Sequence, residues 1–462
     1  MGPTDRVRPP GHRRLSAPPR ASVRDASVSA RGSRAPGPRA PGLRPPAAVR
    51  AEAAALAAPA GVVRRRGPDA VIVLAVLALT ALGLLVVYSS SAMASYLSSD
   101  GDTFRTLGPQ LLWAAVGLVL MLVAMRVDYR WLRLASLPLA LVAVVLLVLV
   151  QIDSFQVTVG GSAQWLKLPG LPAVQPSELA KLALVIYLAH WMARRGGAVA
   201  GLRTGLVPFV VIVAPFILLV FKSPDIGSAG VLGLTAVLMF FLAGASPLYL
   251  AGLAAAAVGG AAILLKDYQL ERFQSFADPF ADRLASGYQP VQGLLALGLG
   301  GLFGAGLGER AAAGGIVLPN AHNDYIFAVI GQEFGFLGAL AVIGLFALLA
   351  YRGFRIALAA PDTFGGLLAA GITAWLCLQA FVNIGVVVTL IPVTGITLPF
   401  VSAGGSSLIV SLVAAGILLS VSRETALSGG WNASGDRGWR NGWAHLPGPR
   451  RRALPSRAPG GA

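Results

Sequence analysis

Ten stretches of predominantly apolar residues run through the chain, and each is about 20 residues long, enough to cross a hydrocarbon core roughly 30 Å thick as a helix. They fall at roughly 70–90, 108–126, 132–151, 174–193, 205–221, 226–243, 246–265, 324–350, 366–391 and 405–421. Inside a bilayer every backbone N–H and C=O must find a partner within the protein, so runs this long have helices as their solution. The pattern predicts an all-α polytopic membrane protein with about ten transmembrane helices. Composition agrees, because 55% of the 462 residues are hydrophobic and only 12% charged, unlike any soluble domain of this size. Ser223-Pro224-Asp225 breaks the 205–243 pair. The lone cysteine, Cys377, lies within an apolar run, which excludes a disulfide framework and a cysteine-rich metal site.

The net charge of +17 is concentrated outside these runs. Residues 1–69 contribute +10 and residues 422–462 contribute +5, leaving +2 for the 70–421 body. The N-terminal segment is rich in Pro, Ala, Arg and Ser without apolar periodicity, the composition of a disordered tail. Without interleaved aromatics it points to anionic lipid rather than nucleic acid. The first apolar run starts too deep and is too long for a cleavable signal peptide. Basic residues in short loops set orientation. With the N-terminus inside, inner loops hold Arg126, Arg130, Arg133, Arg194, Arg195, Arg203, Arg352 and Arg355, while short outer loops hold Arg105, Lys167 and Lys222. Both termini are therefore expected in the cytoplasm, with one long extracytoplasmic loop, about 266–323, between helices 7 and 8.

Charge inside an apolar run costs roughly 2.5–3.5 kcal/mol near mid-bilayer, so it persists where it is paired or faces a polar cavity. Glu178 and Lys181 are three residues apart, share a helix face and can neutralise each other. The expected topology places this pair, Ser223-Pro224-Asp225, Asp324 and the Pro399–Ser407 stretch at one side of the membrane, the outer one. A carrier would more naturally distribute such groups across the midplane; an enzyme of the outer leaflet would gather them here. Asp324 could serve as a general base, or cap a helix beginning at Tyr325, since Asp is a favoured N-cap. Asp225, after Pro224 in a helix break, reads as a cap or as a cavity residue. The glycines from Gly298 to Gly308 lack the Gly-Lys-Ser/Thr ending of a phosphate loop and read as close packing near the membrane surface.

Taken in order, several short motifs resemble the SEDS family (shape, elongation, division and sporulation) of FtsW/RodA-type proteins. They are Tyr88-Ser89-Ser90-Ser91, Gly160-Gly161, Gln164-Trp165, Gln175 to Lys181, Pro224-Asp225-Ile226-Gly227, Arg272-Phe273 and Gly287-Tyr288-Gln289 with Gln292. Leu318-Pro319, His322, Asp324-Tyr325-Ile326-Phe327, Glu333, Asn383, Pro392-Val393-Thr394-Gly395 and Pro399–Ser407 complete the series. The chain departs from the family's usual residues at Gln164, Ser223, Gly293, Asn320, Asn323 and Ala403.

The resemblance implies a glycosyltransferase of the bacterial plasma membrane that polymerises lipid II into glycan strands, in cell division or elongation. It implies a class B penicillin-binding protein as transpeptidase partner, among divisome or elongasome membrane proteins, and Asp324 as the catalytic carboxylate. One carboxylate suffices chemically, because undecaprenyl pyrophosphate leaves as a stable anion and needs no acid, unlike the leaving group of a glycosidase. Glu178, Lys181, Asp225, Arg272, Gln289, Gln292, His322 and Ser406 are the expected substrate-binding or cavity residues. Arg272, with Lys266, Arg283 and Arg310, would face pyrophosphate charge. Asp324 could also hold Mg²⁺ or Mn²⁺, although no dense oxygen cluster requires it. A lipid II flippase and a non-catalytic scaffold for a penicillin-binding protein are the competing readings.

Overall fold

The computed structural model describes residues 67–98, 102–159, 162–167, 170, 172–264, 267–282, 287–308 and 321–424. A helix stands at each of the ten expected positions. They are α1 Ala70–Ser98, α2 Leu107–Arg126, α3 Trp131–Leu149, α4 Pro176–Arg195, α5 Val207–Lys222, α6 Ile226–Leu242, α7 Pro247–Leu264, α10 Ile326–Ala359, α11 Thr363–Val387 and α12 Gly405–Ser422. Two more, α8 Asp267–Ala277 and α9 Tyr288–Gly300, occupy the segment expected to be a long loop. Seven of the described helices are long and apolar enough to cross a membrane. The charges of α4 and the shorter apolar runs of α6 and α7 set those three apart.

Exposure follows lipid contact. Helices α2 and α3 bury about a quarter of their apolar windows, while α11 and α12 bury 72%. The latter two form the centre of the bundle, with α11 packed on α4, α6 and α10, and α12 on α2. One departure from an all-helical chain is a short antiparallel hairpin, β1 Gln156–Val159 with β2 Ser162–Leu166, pairing Gln156 with Leu166 and Val157 with Trp165. Its valines and threonine alternate in a segment too short to span, where a pleated surface suits β-branched side chains better than a helix. An isolated bridge from Leu166 to Val174 leads the chain into α4.

Helix α10 is broken at Gly335, whose φ of 69° and ψ of −167° are non-helical. The backbone groups freed there are satisfied by the glycine-rich segment after α9. Ala305 N–H donates to Gln332 O (2.9 Å) and Gly306 N–H to Glu333 O (3.2 Å), while Phe336 and Leu337 donate back to Gly301 O (2.8 Å) and Leu302 O (3.2 Å). This exchange keeps a helix break tolerable at membrane depth. A Cβ on Gly335 would lie 2.6 Å from Leu302 O, so only glycine admits the approach.

The opposite end, where the arginine pattern expects cytoplasm, is closed by ion pairs. Asp362 caps α11 through Gly365 N–H (2.9 Å) and accepts from Tyr129 (2.6 Å) and Arg133 (2.6 Å). Arg130 pairs with Glu424 at 2.7 Å. Asp69 caps α1 through Val71 N–H (3.0 Å) and Ile72 N–H (3.2 Å), pairs with Arg352 (2.5 Å), and donates its own N–H to Ser422 Oγ (3.2 Å). The first and last residues of the bundle therefore meet.

Candidate active site

At the other end of the bundle, Glu178 and Lys181 form the expected pair on the first turns of α4, 2.8 Å apart and almost wholly buried. Lys181 Nζ also donates to Gln379 Oε1 (2.7 Å), which accepts a second bond from Trp375 Nε1 (2.9 Å). Gln379 Nε2 then donates to Thr397 O (3.0 Å), and the Thr397 and Ser407 hydroxyls lie 2.9 Å apart. The ammonium is thus surrounded by a carboxylate, an amide oxygen and the Trp375 face, 5.7 Å from ring centre to Nζ. Paired burial of this kind offsets the cost of removing two charges from water.

Asp225 caps one helix and ties it to another. Its Oδ1 caps α6 by accepting from Ser228 N–H (2.9 Å). Its Oδ2 accepts from Ser177 Oγ (3.0 Å) and Gln175 Nε2 (3.3 Å), which ties α6 to the start of α4. The Gln175 N–H donates to Ser406 Oγ (3.2 Å), so the first turn of α12 joins the same cluster.

Asp324 does not cap a helix. Helix α10 begins at Ile326, Tyr325 is the flanking residue, and no side chain caps the start. The carboxylate is instead free of helix duty and faces Gly395, where a Cβ would stand 3.7 Å from Asp324 Oδ2. Its segment is held through the main chain. Asn383 Nδ2 donates to Asp324 O (2.8 Å), Ser402 Oγ to Asn323 O (2.7 Å), and Ala403 N–H to His322 O (2.8 Å). Burial first, and then the charge of Asp225, lift the Asp324 carboxyl to about 6, with Arg272 pulling the other way. Arg272 on α8 is anchored by Nη1 to Val393 O (3.3 Å). Burial lowers the His322 imidazole, which favours its neutral form.

Helix α9 packs on α10, with Gly293 so close to Tyr325 that a Cβ would sit 2.9 Å from its ring. Gln289 and Gln292, both half-buried on α9, come to this end without joining the hydrogen-bond network among the described residues. The structure therefore brings Asp225, Arg272 and Asp324 into electrostatic contact, while Glu178 and Lys181 form a separate layer tied to the site through Gln379, Thr397 and Ser407. Lys266, Arg283, Arg310 and Leu318-Pro319 lie outside the described residues. Among the described residues no group of three or more His, Cys, Asp or Glu gathers to hold a metal. Both Asp225 oxygens accept hydrogen bonds from neighbouring groups.

Sequence reasoning missed Gln379 and Trp375. The available signal was spacing: Trp375, Gln379 and Asn383 recur every four residues, placing polar groups on one face of an apolar helix.

The fold and this polar end define a multi-pass membrane protein with acidic and basic side chains gathered at one face. The model of the FtsW/RodA/SpoVE cell cycle proteins matches residues 69–427, and the chain belongs to that family. A relative from Geobacter metallireducens named as a probable peptidoglycan glycosyltransferase FtsW is 42% identical over 357 residues, 77% of this chain and 94% of the relative. The stage V sporulation protein E of Bacillus subtilis is 40% identical over 362 residues, 78% of this chain and 98% of that protein. Among solved structures, a chain of a peptidoglycan synthase complex that coordinates polymerization and crosslinking superposes with a TM-score of 0.63 at 30% identity, covering 78% of this chain and 99% of that one. The Thermus thermophilus rod shape determining protein RodA superposes at 0.57 with 29% identity, over 78% of this chain and 98% of that one.

Proposed function

We propose that this chain is a peptidoglycan glycosyltransferase that polymerises lipid II at the outer face of the plasma membrane, with Asp324 as general base. The carrying observation is the buried Asp324 carboxyl, which caps no helix and faces Gly395, with burial and the charge of Asp225 lifting it to about 6. A base is most effective with a pKa close to the working pH, and such a group contributes roughly 10²–10⁴-fold. The acceptor hydroxyl oxygen attacks the anomeric carbon of the donor sugar and its proton passes to Asp324. The bond from that carbon to the pyrophosphate oxygen breaks, and undecaprenyl pyrophosphate leaves with the electron pair. Arg272 is placed to face the charge that develops on the departing phosphate. Displacement from the far side inverts an α-linked donor into a β-linked strand.

Asp225, Ser406, Glu178 and Lys181 shape the chamber, and His322, Gln289 and Gln292 stand at its mouth as substrate contacts. The domain layout that goes with this reading is a membrane body at 70–421 between two basic cytoplasmic tails. A class B penicillin-binding protein is the expected crosslinking partner, in keeping with the synthase complex that this chain resembles. A polar site at one end, with the opposite end closed by ion pairs, favours an enzyme over a flippase, which needs access to both leaflets. The test is polymerisation of labelled lipid II by the purified protein and by Asp324→Asn. Loss of glycan in a folded Asp324→Asn supports the reading. Retained polymerisation would remove Asp324 as base, and movement of lipid II between leaflets without lengthening would favour the carrier.

A further inference from the structure

Two hydroxyls around Asp324, Tyr325 Oη and Thr394 Oγ1, are buried without a hydrogen-bond partner among the described residues. Groups of this kind are uncommon in folded proteins, because the hydration they lose is not replaced inside, and they concentrate where a ligand completes them. The Tyr325 ring is itself fixed: it is 1% exposed, and a Cβ on Gly293 of α9 would stand 2.9 Å from it. Only its hydroxyl is left over. Burial first, and then the Asp324 charge, raise this phenol while Arg272 lowers it, so it stays protonated within the field of both charged groups.

Thr394 comes to the same place from the segment that joins α11 to α12. There Val393 O accepts from Arg272 Nη1 (3.3 Å) and Gly395 faces Asp324 Oδ2, with Thr394 between them in sequence. A third atom without a partner among the described residues, Asn383 Oδ1, belongs to the amide whose nitrogen holds Asp324 O and Ile396 O. The stretch from Thr389 to Phe400 begins and ends on non-glycine residues in left-handed backbone, at φ 54° and 66°. Strain of that kind gathers at ligand clamps and switch segments. Two free O–H donors near a guanidinium suit an oxygen that gains negative charge better than one shared in a neutral linkage.

We propose that the Tyr325 and Thr394 hydroxyls are catalytic residues that donate hydrogen bonds, beside Arg272, to the oxygen that leaves the anomeric carbon; this rests on, and deepens, the glycosyltransferase reading. When the carbon–oxygen bond breaks, its electron pair stays on that oxygen, which passes from a neutral bridge to a terminal phosphate oxygen. Neither hydroxyl gives up its proton. Both bonds are therefore strongest in the transition state and in the departed polyprenyl pyrophosphate, and weakest in the bound donor.

Tyr325→Phe keeps the ring against Gly293 and removes only the hydroxyl. In polymerisation of lipid II, kcat should fall at least tenfold with KM within twofold. Affinity for undecaprenyl pyrophosphate, measured by binding to the full chain in nanodiscs, should fall at least tenfold as well. Thermal unfolding should come no earlier than in wild type, because an unpaired polar group has been taken out of the interior. Thr394→Val should behave alike, and serves if Tyr325→Phe does not fold. Unchanged kcat and product affinity in the folded variants, the result for hydroxyls satisfied by trapped water, overturn the proposal. So does a lower melting temperature with product affinity unchanged, the result for a purely structural role. Tyr325-dependent binding of undecaprenyl pyrophosphate by a wild type that makes no glycan would support the site and overturn the polymerase reading instead.

Discussion

Asn383 holds Asp324 by its backbone, not by its carboxylate: one side-chain amide donates to Asp324 O at 2.8 Å and to Ile396 O at 2.7 Å. A single buried group on α11 thus fixes both the acidic segment and the strand of chain opposite it, leaving the carboxylate unencumbered. Asn383→Leu would leave two carbonyls without their donor. A loss of about 2–4 kcal/mol in stability is expected, since each unsatisfied buried group costs roughly 1–3 kcal/mol. In polymerisation assays kcat should fall while KM for lipid II changes little, because the displaced group is the base.

The Asp324 carboxyl, at about 6, makes the reaction pH-dependent with a defined sign. The base acts as carboxylate, so the rate at saturating lipid II should fall tenfold per unit below about pH 6 and level off above it. Stability runs the other way. A carboxyl whose folded value lies above its unfolded value binds protons more tightly when folded, so stability falls as pH rises from about 4 to about 6. The shift corresponds to a penalty on the order of 3 kcal/mol above that window. Asp324→Asn should therefore be inactive yet melt no lower than wild type at pH 7. A melting temperature reduced by the substitution would contradict the burial assigned to this group.

Lys181→Met leaves the Glu178 carboxylate buried without its partner. A cost of roughly 3–5 kcal/mol is expected from breaking such a pair. Combining it with Glu178→Leu should recover more than half of that loss. Thermal unfolding of the two single variants and the double variant in one detergent measures the coupling, and additive losses would show that the pair carries no mutual stabilisation.

Gly335→Ala places a Cβ against Leu302 O in a backbone of positive φ. Unfolding should come at least 2 kcal/mol earlier, of the order seen for strain at special backbone positions. Gly344→Ala in the same helix meets nothing within 4 Å and should be neutral or slightly stabilising.

Most of the membrane body was legible because hydrocarbon leaves few choices: apolar runs near 20 residues become helices, and all ten positions carry one. The Glu178–Lys181 pair followed from its spacing alone. Arg272 emerged from a motif match, and the structure gives it a physical setting beside Asp324. The break at Gly335 was illegible, since a glycine within an apolar run is commonplace and the backbone partners of the residues after it lie 35 positions earlier, at Gly301 and Leu302. The Gln379 junction was missed for a related reason. A lone amide in an apolar helix has no visible partner until Lys181, almost 200 positions earlier, is packed against it. The hairpin at 156–166 escaped because the surrounding runs dominate any reading of period.

The contact between Asp69 and Ser422 leaves the body's opening and closing residues a hydrogen bond apart. Joining these ends by a short polar linker and cutting the chain elsewhere should yield a permuted protein with the same bundle. For the same reason, bulky insertions placed directly before Asp69 and directly after Ser422 would compete for one small patch of surface, so a reporter is better carried at one of these two positions only.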